Sequence, residues 1–508
     1  MPYTTTSLCP ECKAKVEARI FEKDGKILME KTCPEHGYVK DTIFSDAELY
    51  RRAIDWHYDV GKGVANPPIT DAKSCPDDCG MCNLHVSHTV LANVDLTNRC
   101  NLACPVCFAN ANVQDYIYEP SFEQVKQMLQ TLRDQRPVAG RIVQFAGGEP
   151  TLHPDWFKIL TTANEMGFSH VQCATNGIKF AEDAGFAAKS KEAGLHTLYL
   201  QFDGVDPALY EKIRGRKNLL DIKMKAIENI RRAGIKIVYV PTIVGGVNDD
   251  QVPKIVQFAL DNIDVSSGIS FQPVALTGRI DEAEREKMRF TLSDLAIRVN
   301  ELGFTTKEDW FPLSCTTPIS QLVTAMKGEE NCTISCHPLC GIGTYLFVDK
   351  NRKATPITRF VNIKGLLDDI QKQADKMANR TAFKSFFKKL SNINLFLSAN
   401  KHFDESKAPE GLTLKRFGQT IEGLLDKKAG RGDNDGTYTY KTLMVAGMHF
   451  MDGYNYDVER VKRCVIHYSA PDGHLYPFCA YNSGLVFRES IEKRFSVPKS
   501  EWRKQRAE

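Results

Sequence analysis

Leu96-Thr97-Asn98-Arg99-Cys100-Asn101-Leu102-Ala103-Cys104-Pro105-Val106-Cys107-Phe108 is the stretch whose reading decides the fold. Cys100, Cys104 and Cys107 stand in C-x3-C-x2-C spacing, which places three thiolates within one tight loop. Iron–sulfur clusters are usually held by four cysteines, so three local thiolates can seat a 4Fe–4S cube and leave its fourth iron open. The triplet follows Ala92-Asn93-Val94-Asp95-Leu96, an alternating apolar run that reads as a strand. Further on, a second apolar run ends in Gly147-Gly148-Glu149-Pro150. A structural zinc knuckle would account for the cysteines, but not for this GGEP or for the strand before each motif. Cys75, Cys79 and Cys82 repeat the spacing, yet no strand precedes them and Asn83 stands where an aromatic is expected. Context therefore selects the second triplet.

A C-x3-C-x2-C triplet with an aromatic after its last cysteine, followed by GGEP at the end of the next strand, resembles the radical S-adenosylmethionine (SAM) superfamily. The resemblance implies that the amino and carboxylate groups of SAM occupy the open iron. It also implies that Cys100, Cys104 and Cys107 carry the catalytic cluster, and that Phe108 and the glycines of GGEP lie against the cofactor.

The 508 residues exceed one ordinary domain. The expected division is a metal module over 1–45, a connector with cluster cysteines over 46–90, a barrel over 91–280 and a covering region over 281–508. Hydrophobic content of 42% and charged content of 25% are those of a globular chain. A net charge of +3 gives no argument for nucleic acid. Residues 1–30 lack a basic start leading into an apolar core, and no apolar run reaches the ~20 residues that span a bilayer. These features predict a cytoplasmic protein, peripheral at most to a membrane. Sixteen clustered cysteines in such a chain read as metal ligands rather than disulfides.

Cys9-Pro10-Glu11-Cys12 and Cys33-Pro34-Glu35-His36 flank a hairpin signal at Asp24-Gly25, the layout of a zinc ribbon or rubredoxin-like module. Cys9, Cys12, Cys33 and His36 would complete a tetrahedral mononuclear site, and zinc and iron both satisfy it. For Cys75, Cys79 and Cys82 the expectation is an auxiliary 4Fe–4S cluster; the alternative is a second zinc site using His85 or His88.

Residues 90–280 alternate strand and helix as βα units do. Strands are expected at 92–97, 141–146, 170–174, 197–202, 236–243 and 268–273. The helices between run from Ser121 to Gln135, Asp155 to Met166, Ala181 to Ala193, Leu219 to Ala233 and Gln251 to Asn262. Six units make an α/β fold, a partial parallel (β/α)6 barrel whose site lies at the C-terminal strand ends. GGEP, Asn176, Gln201, Asp203, Thr242 and Val274 fall there. By the same resemblance Gln201 matches a polar position facing the SAM ribose, and Val274 an apolar contact for adenine. Cys173 reads as a buried strand cysteine.

Beyond a charged helix from Asp281 to Arg289 come Cys315, the Cys332/Cys336/Cys340 run, Cys464 and Cys479. With the upstream triplet these make nine thiols, enough for two auxiliary clusters with one left over. Phe383, Phe386, Phe387 and Leu390 recur at helical spacing beside Lys384, Lys388 and Lys389, which fits a membrane-surface helix or one packed on the barrel. A polar, glycine-rich loop is expected at 427–436 and a frayed segment at 499–508.

The order of ribbon, auxiliary triplet, SAM loop, cysteine-rich segment and closing C-x14-C is similar to the tetraether lipid synthase (GDGT/macroarchaeol synthase) group. That resemblance implies carbon–carbon bond formation between unactivated ends of lipid chains, an archaeal-type phospholipid substrate at a membrane surface, and one or two auxiliary clusters. It further implies a low-potential donor such as ferredoxin or flavodoxin. Terminal methyl groups offer no acid, base or leaving group, so only a radical activates them. The alternatives are a radical SAM methylase, a peptide-modifying maturase, and a non-enzymatic iron–sulfur carrier, which would not need the strand-end motifs.

Overall fold

The computed structural model describes residues 3–58, 61–276, 280–378, 398–425 and 441–505. Strands β1 (Tyr3–Leu8), β2 (Lys15–Lys23), β3 (Lys26–Cys33) and β4 (Gly37–Phe44) form an antiparallel sheet. Its central hairpin turns at Asp24 and Gly25, both at positive φ (52° and 72°), the backbone a two-residue turn demands. Helix α1 (Ala47–Asp55) follows, capped by the Asp46 carboxylate. The rest of the connector to residue 90 is mostly irregular.

The barrel strands follow the sequence reading closely: β5 (Leu91–Thr97), β7 (Ile142–Gly147), β8 (His170–Thr175), β9 (Thr197–Gln201), β10 (Lys236–Val240) and β12 (Ser266–Pro273), with β6 (Tyr116–Tyr118) lying outside the large sheet. The expected strand 236–243 is broken at Pro241, and β11 (Thr242–Ile243) continues it against β12; proline has no N–H to give the ladder. Helices α2 (Phe122–Arg133) and α3 (Trp156–Glu165) lie where expected, as do α7 (Leu219–Arg232) and α8 (Val252–Asp261). The expected helix 181–193 is instead α4 (Ile178–Glu182) and α5 (Ala184–Glu192), because the Asp183 side chain caps the second at Gly185 N–H. Helix α6 (Pro207–Arg214) has no counterpart in the sequence reading.

The sheet is larger than six strands and mixed at its ends. Two short strands, β13 (Phe311–Pro312) and β15 (Ala354–Pro356), pair antiparallel along one edge of β14 (Gly341–Val348), whose other edge pairs antiparallel with β16 (Lys441–Met448); at the far end come β17 (Ile466–Ser469) and the antiparallel β18 (Leu475–Pro477). β16 pairs parallel with β12, and β17 pairs parallel with β5, so the C-terminal region adds one parallel strand to each rim of the barrel. Buried side chains of ribbon, α1 and barrel (Ile20, Phe44, Tyr50, Val94, Phe145, Leu198, Ile237) form one apolar core. The segment 499–505 is helical rather than frayed. The expected amphipathic helix of Phe383–Leu390 and the loop 427–436 lie outside the described residues.

Candidate active site and metal centres

Cys100, Cys104 and Cys107 occupy the loop leaving β5 at its C-terminal end. Asn112, in the left-handed region at φ 65°, holds the loop's shape. Its Oδ1 accepts from Cys100 N–H at 3.1 Å, and its Nδ2 donates to the Cys100 and Leu102 carbonyls at 2.8 and 3.0 Å. Burial pushes the Cys100 thiol up to about 12, with the charges of Glu149, Cys104 and Cys107 adding to it. Such thiols stay protonated until a metal displaces the proton.

GGEP seats on this loop rather than standing free of it. Gly148 N–H donates to the Thr97 carbonyl at 2.7 Å and Glu149 N–H to that of Arg99 at 2.8 Å. A Cβ at Gly147 would lie 2.3 Å from the Thr97 oxygen, and one at Gly148 2.3 Å from the Arg99 oxygen. The glycines are thus required by backbone approach to the cysteine loop itself. The buried Glu149 carboxylate accepts from Thr151 Oγ1 (2.6 Å), Thr175 Oγ1 (2.8 Å) and Asn176 N–H (2.8 Å). It braces β7 against β8. Pro150 opens a 3₁₀ turn. Asn176 Nδ2 lies 3.8 Å from Cys100 Sγ and 2.6 Å from Asn101 Oδ1.

Asp203 does not face the cofactor space freely. It is fully buried and grips Arg214 with both oxygens, Nε–Oδ2 at 2.8 Å and Nη2–Oδ1 at 2.7 Å. Arg214 then donates to the Val106 carbonyl at 2.9 Å and to Thr242 Oγ1 at 3.1 Å, and it offsets the burial that raises the Cys104 thiol. The sequence reading missed Arg214, whose only signal is a position near the end of an unrecognised helix. It also missed Lys223, which is wholly buried and donates to Gln201 Oε1 at 3.1 Å and to the Asn176 carbonyl. Val274 lies in an apolar patch with Val244, Leu276 and Tyr454, with Val106 packed on it. Phe108, 42% exposed, stacks on Phe478 at 5.2 Å, and Phe478 on Phe450 at 3.9 Å. The cluster loop thereby touches the C-terminal cysteine segment.

The structure gathers most of the remaining thiols. Cys75, Cys79 and Cys479 pack against one apolar cluster with Leu8, Met451 and Tyr456, while Cys336, Cys340 and Cys464 share another with Val465 and Ile466. Burial raises Cys79 strongly, and the charges of Cys75, Cys82 and Cys464 raise it further. Cys464 is raised likewise by burial and then by Cys479 and Cys340. Cys315 stands apart in an apolar core with Trp56, Phe311 and Leu322, where burial pushes its thiol up to about 12. Cys332 is raised to about 11 by burial beside Arg141, at the N-terminal end of β7. Neither is brought to the other thiols. His85 and His88 are spoken for: His85 Nε2 lies 2.8 Å from the Cys464 carbonyl oxygen, and His88 Nε2 accepts from Thr333 N–H at 2.9 Å.

In the N-terminal module the ligand atoms of Cys9, Cys12, Cys33 and His36 all lie within 4.8 Å of one another, the compactness of a mononuclear site. Hydrogen bonding to His36 pulls the Cys33 thiol down to about 6. The sheet docks on 452–457: Thr5 Oγ1 donates to Asp457 at 2.8 Å, Lys31 Nζ to the Gly453 carbonyl at 2.7 Å, and Arg289 bridges Asp41 and Asp452.

Residues 94–259 match the radical SAM superfamily and residues 1–45 the HMPTM N-terminal zinc ribbon domain. The chain is 44% identical over 508 residues to 7,8-dihydro-6-hydroxymethylpterin dimethyltransferase of Methanocaldococcus jannaschii, covering 99% of this chain and 97% of that one. It is 29% identical over 172 residues to Fe-coproporphyrin III synthase of Methanosarcina barkeri, covering 32% and 41%. The solved structure of anSMEcpe with bound AdoMet and a peptide is 18% identical, with a TM-score of 0.35 over 60% of this chain and 83% of that one. These findings overturn the expected lipid carbon–carbon coupling: the full-length relative carries the name of a pterin dimethyltransferase, and neither a lipid substrate nor a membrane surface gains support. Among the described residues no helix is long and apolar enough to cross a membrane. The chain belongs to the radical SAM superfamily, in the same family as that archaeal pterin dimethyltransferase.

Proposed function

We propose that the protein is a radical SAM methyltransferase acting on a reduced pterin of the 6-hydroxymethyl-dihydropterin class. The observation that carries this reading is the 44% identity, over nearly the whole of both chains, with the dimethyltransferase. As a radical SAM enzyme it uses a 4Fe–4S cluster, SAM and a one-electron reductant.

The residues present fit the cluster, since a buried guanidinium, Arg214, stands beside Cys104, one of three half-buried thiols that become anionic when metallated. Cys100, Cys104 and Cys107 would hold it. When bound, it supplies the electron for reductive cleavage of SAM and so the power to take hydrogen from an unactivated carbon. The protein's part is positioning. Asn112 and GGEP fix the loop, and Asp203 orients Arg214 against Val106 and Cys104. Lys223 holds the Gln201 oxygen, which leaves the Gln201 amide as a donor for the SAM ribose. Val274 offers an apolar wall for adenine and Phe108 its ring face. Cys75, Cys79, Cys82, Cys336, Cys340, Cys464 and Cys479 are the proposed auxiliary-cluster ligands, and Cys9, Cys12, Cys33 and His36 those of the ribbon metal.

The test is anaerobic incubation with SAM carrying a deuterated methyl group, a low-potential reductant and 7,8-dihydro-6-hydroxymethylpterin, read by mass spectrometry. The expected product is heavier than the pterin by one or two methyl-for-hydrogen replacements, with 5′-deoxyadenosine formed, and the deuterium reports whether SAM is the methyl source. Deoxyadenosine with an unchanged pterin would overturn the substrate and keep the superfamily.

A further inference from the structure

Arg460 lies in the short helix Val458–Lys462 and is only 3% exposed. Its Nη2 donates to the His449 carbonyl at 2.7 Å, and the His449 N–H donates to the Cys340 carbonyl at 3.0 Å, so guanidinium and cysteine hang on one backbone knot. Its Nε has no acceptor among the described residues. Among the described residues no carboxylate reaches ion-pair distance of it. Asp457, the acid in the same turn, is held by Thr5 Oγ1 at 2.8 Å and Glu459 N–H at 3.0 Å. The groups whose negative charge would favour the guanidinium most strongly are Cys340 and Cys479 once ionised, ahead of Asp457.

A buried cation without an anion is costly, and neutral thiols do not offset it. Thiolates bound to iron do. The sulfur of Cys479 also accepts from Met451 N–H at 3.4 Å, as cluster sulfurs do when backbone amides surround them.

We propose that Arg460 is the charge partner of an auxiliary iron–sulfur cluster held by Cys336, Cys340, Cys464 and Cys479, and that it raises that cluster's reduction potential. The proposal rests on the auxiliary-ligand reading above. Net charge, hydrogen bonds to sulfur and solvent exposure set the potential of such clusters. Reduction adds one electron, from the donor that serves the enzyme, with no bond made or broken. A fixed positive charge in contact favours that more negative state. Arg460 is a positioning residue that acts through the cluster.

The experiment compares the anaerobically reconstituted full chain with R460K and R460Q. Iron and acid-labile sulfide per chain are measured, and each cluster's potential by titration followed in electron paramagnetic resonance. Glutamine keeps a donor for the His449 carbonyl and removes the charge; lysine keeps the charge. The expected result is that R460Q shifts one auxiliary signal to more negative potential, or loses that cluster's iron, while R460K retains both. The signal of the Cys100 cluster stays where it was. Unchanged potential and full iron in R460Q would overturn the proposal, and so would equal loss in both variants, which would assign the requirement to guanidinium shape. Wild-type iron sufficient only for the Cys100 cluster and the ribbon metal would instead sink the ligand reading itself.

Discussion

Lys223 donates to the Gln201 side-chain oxygen at 3.1 Å from a site with no solvent exposure, and the same ammonium reaches the Asn176 carbonyl. One side chain on α7 thus ties together the C-terminal ends of β8 and β9. Burial pulls its pKa down to about 7, against the pull of Asp203 and Glu149 toward the charged form. In the unfolded chain it stays protonated to about 10.4.

Between those values the unfolded state binds the extra proton, so this group makes stability rise with pH, by at most about 1.4 kcal/mol per pH unit. Thermal melts from pH 7 to 9 should show a steeper rise in wild type than in K223M. Parallel slopes would place the titration elsewhere.

Breaking the buried Asp203–Arg214 pair leaves an uncompensated charge, which costs about 3–5 kcal/mol. R214M should lose that much in denaturant unfolding. The double variant D203N/R214M should be less destabilised than the two single losses added. Additive losses would show that the pair is not coupled.

Gly148→Ala forces a methyl into the Arg99 carbonyl. The variant is expected to fold with a lower melting temperature and to lose iron from the Cys100 cluster. Gly418 sits in the helix Leu414–Leu425, where an added methyl would meet nothing within 4 Å. Gly418→Ala should therefore stabilise by up to about 1 kcal/mol, with full iron. Equal iron in the two variants would count against the close approach at Gly148.

Cys315→Ala should retain every iron, because Cys315 belongs to the Trp56–Phe311 core. Cys464→Ser should lose one cluster's worth. Iron loss in Cys315→Ala would return that residue to the ligand set.

Much of this was legible because the decisive signals are local. The cysteine triplet, GGEP and the ribbon ligands are short motifs, and the period of the apolar runs located the inner strands to within a few residues. Arg214, Lys223 and Arg460 were not legible: each is a charged residue on a helix, where a solvated face is the ordinary expectation, and each acquires its role from a partner far along the chain or on another element. Leu443-Met444-Val445-Ala446 is an apolar run of the kind parallel strands carry. Only the pairing with β12 shows that it extends the barrel. Motif order suggested the lipid chemistry, but order records shared architecture, and the same architecture serves different substrates.

The two rims of the parallel sheet are covered by strands drawn from residues 441–469. While the preceding residues are being synthesised, both rims present bare backbone donors and acceptors, a template for pairing with a neighbouring chain. The growing polypeptide is therefore exposed longest at the edges its finished form protects best. Production at low temperature with few ribosomes per message should favour the native protein, whereas fragments ending between residues 281 and 440 should accumulate as edge-paired aggregates.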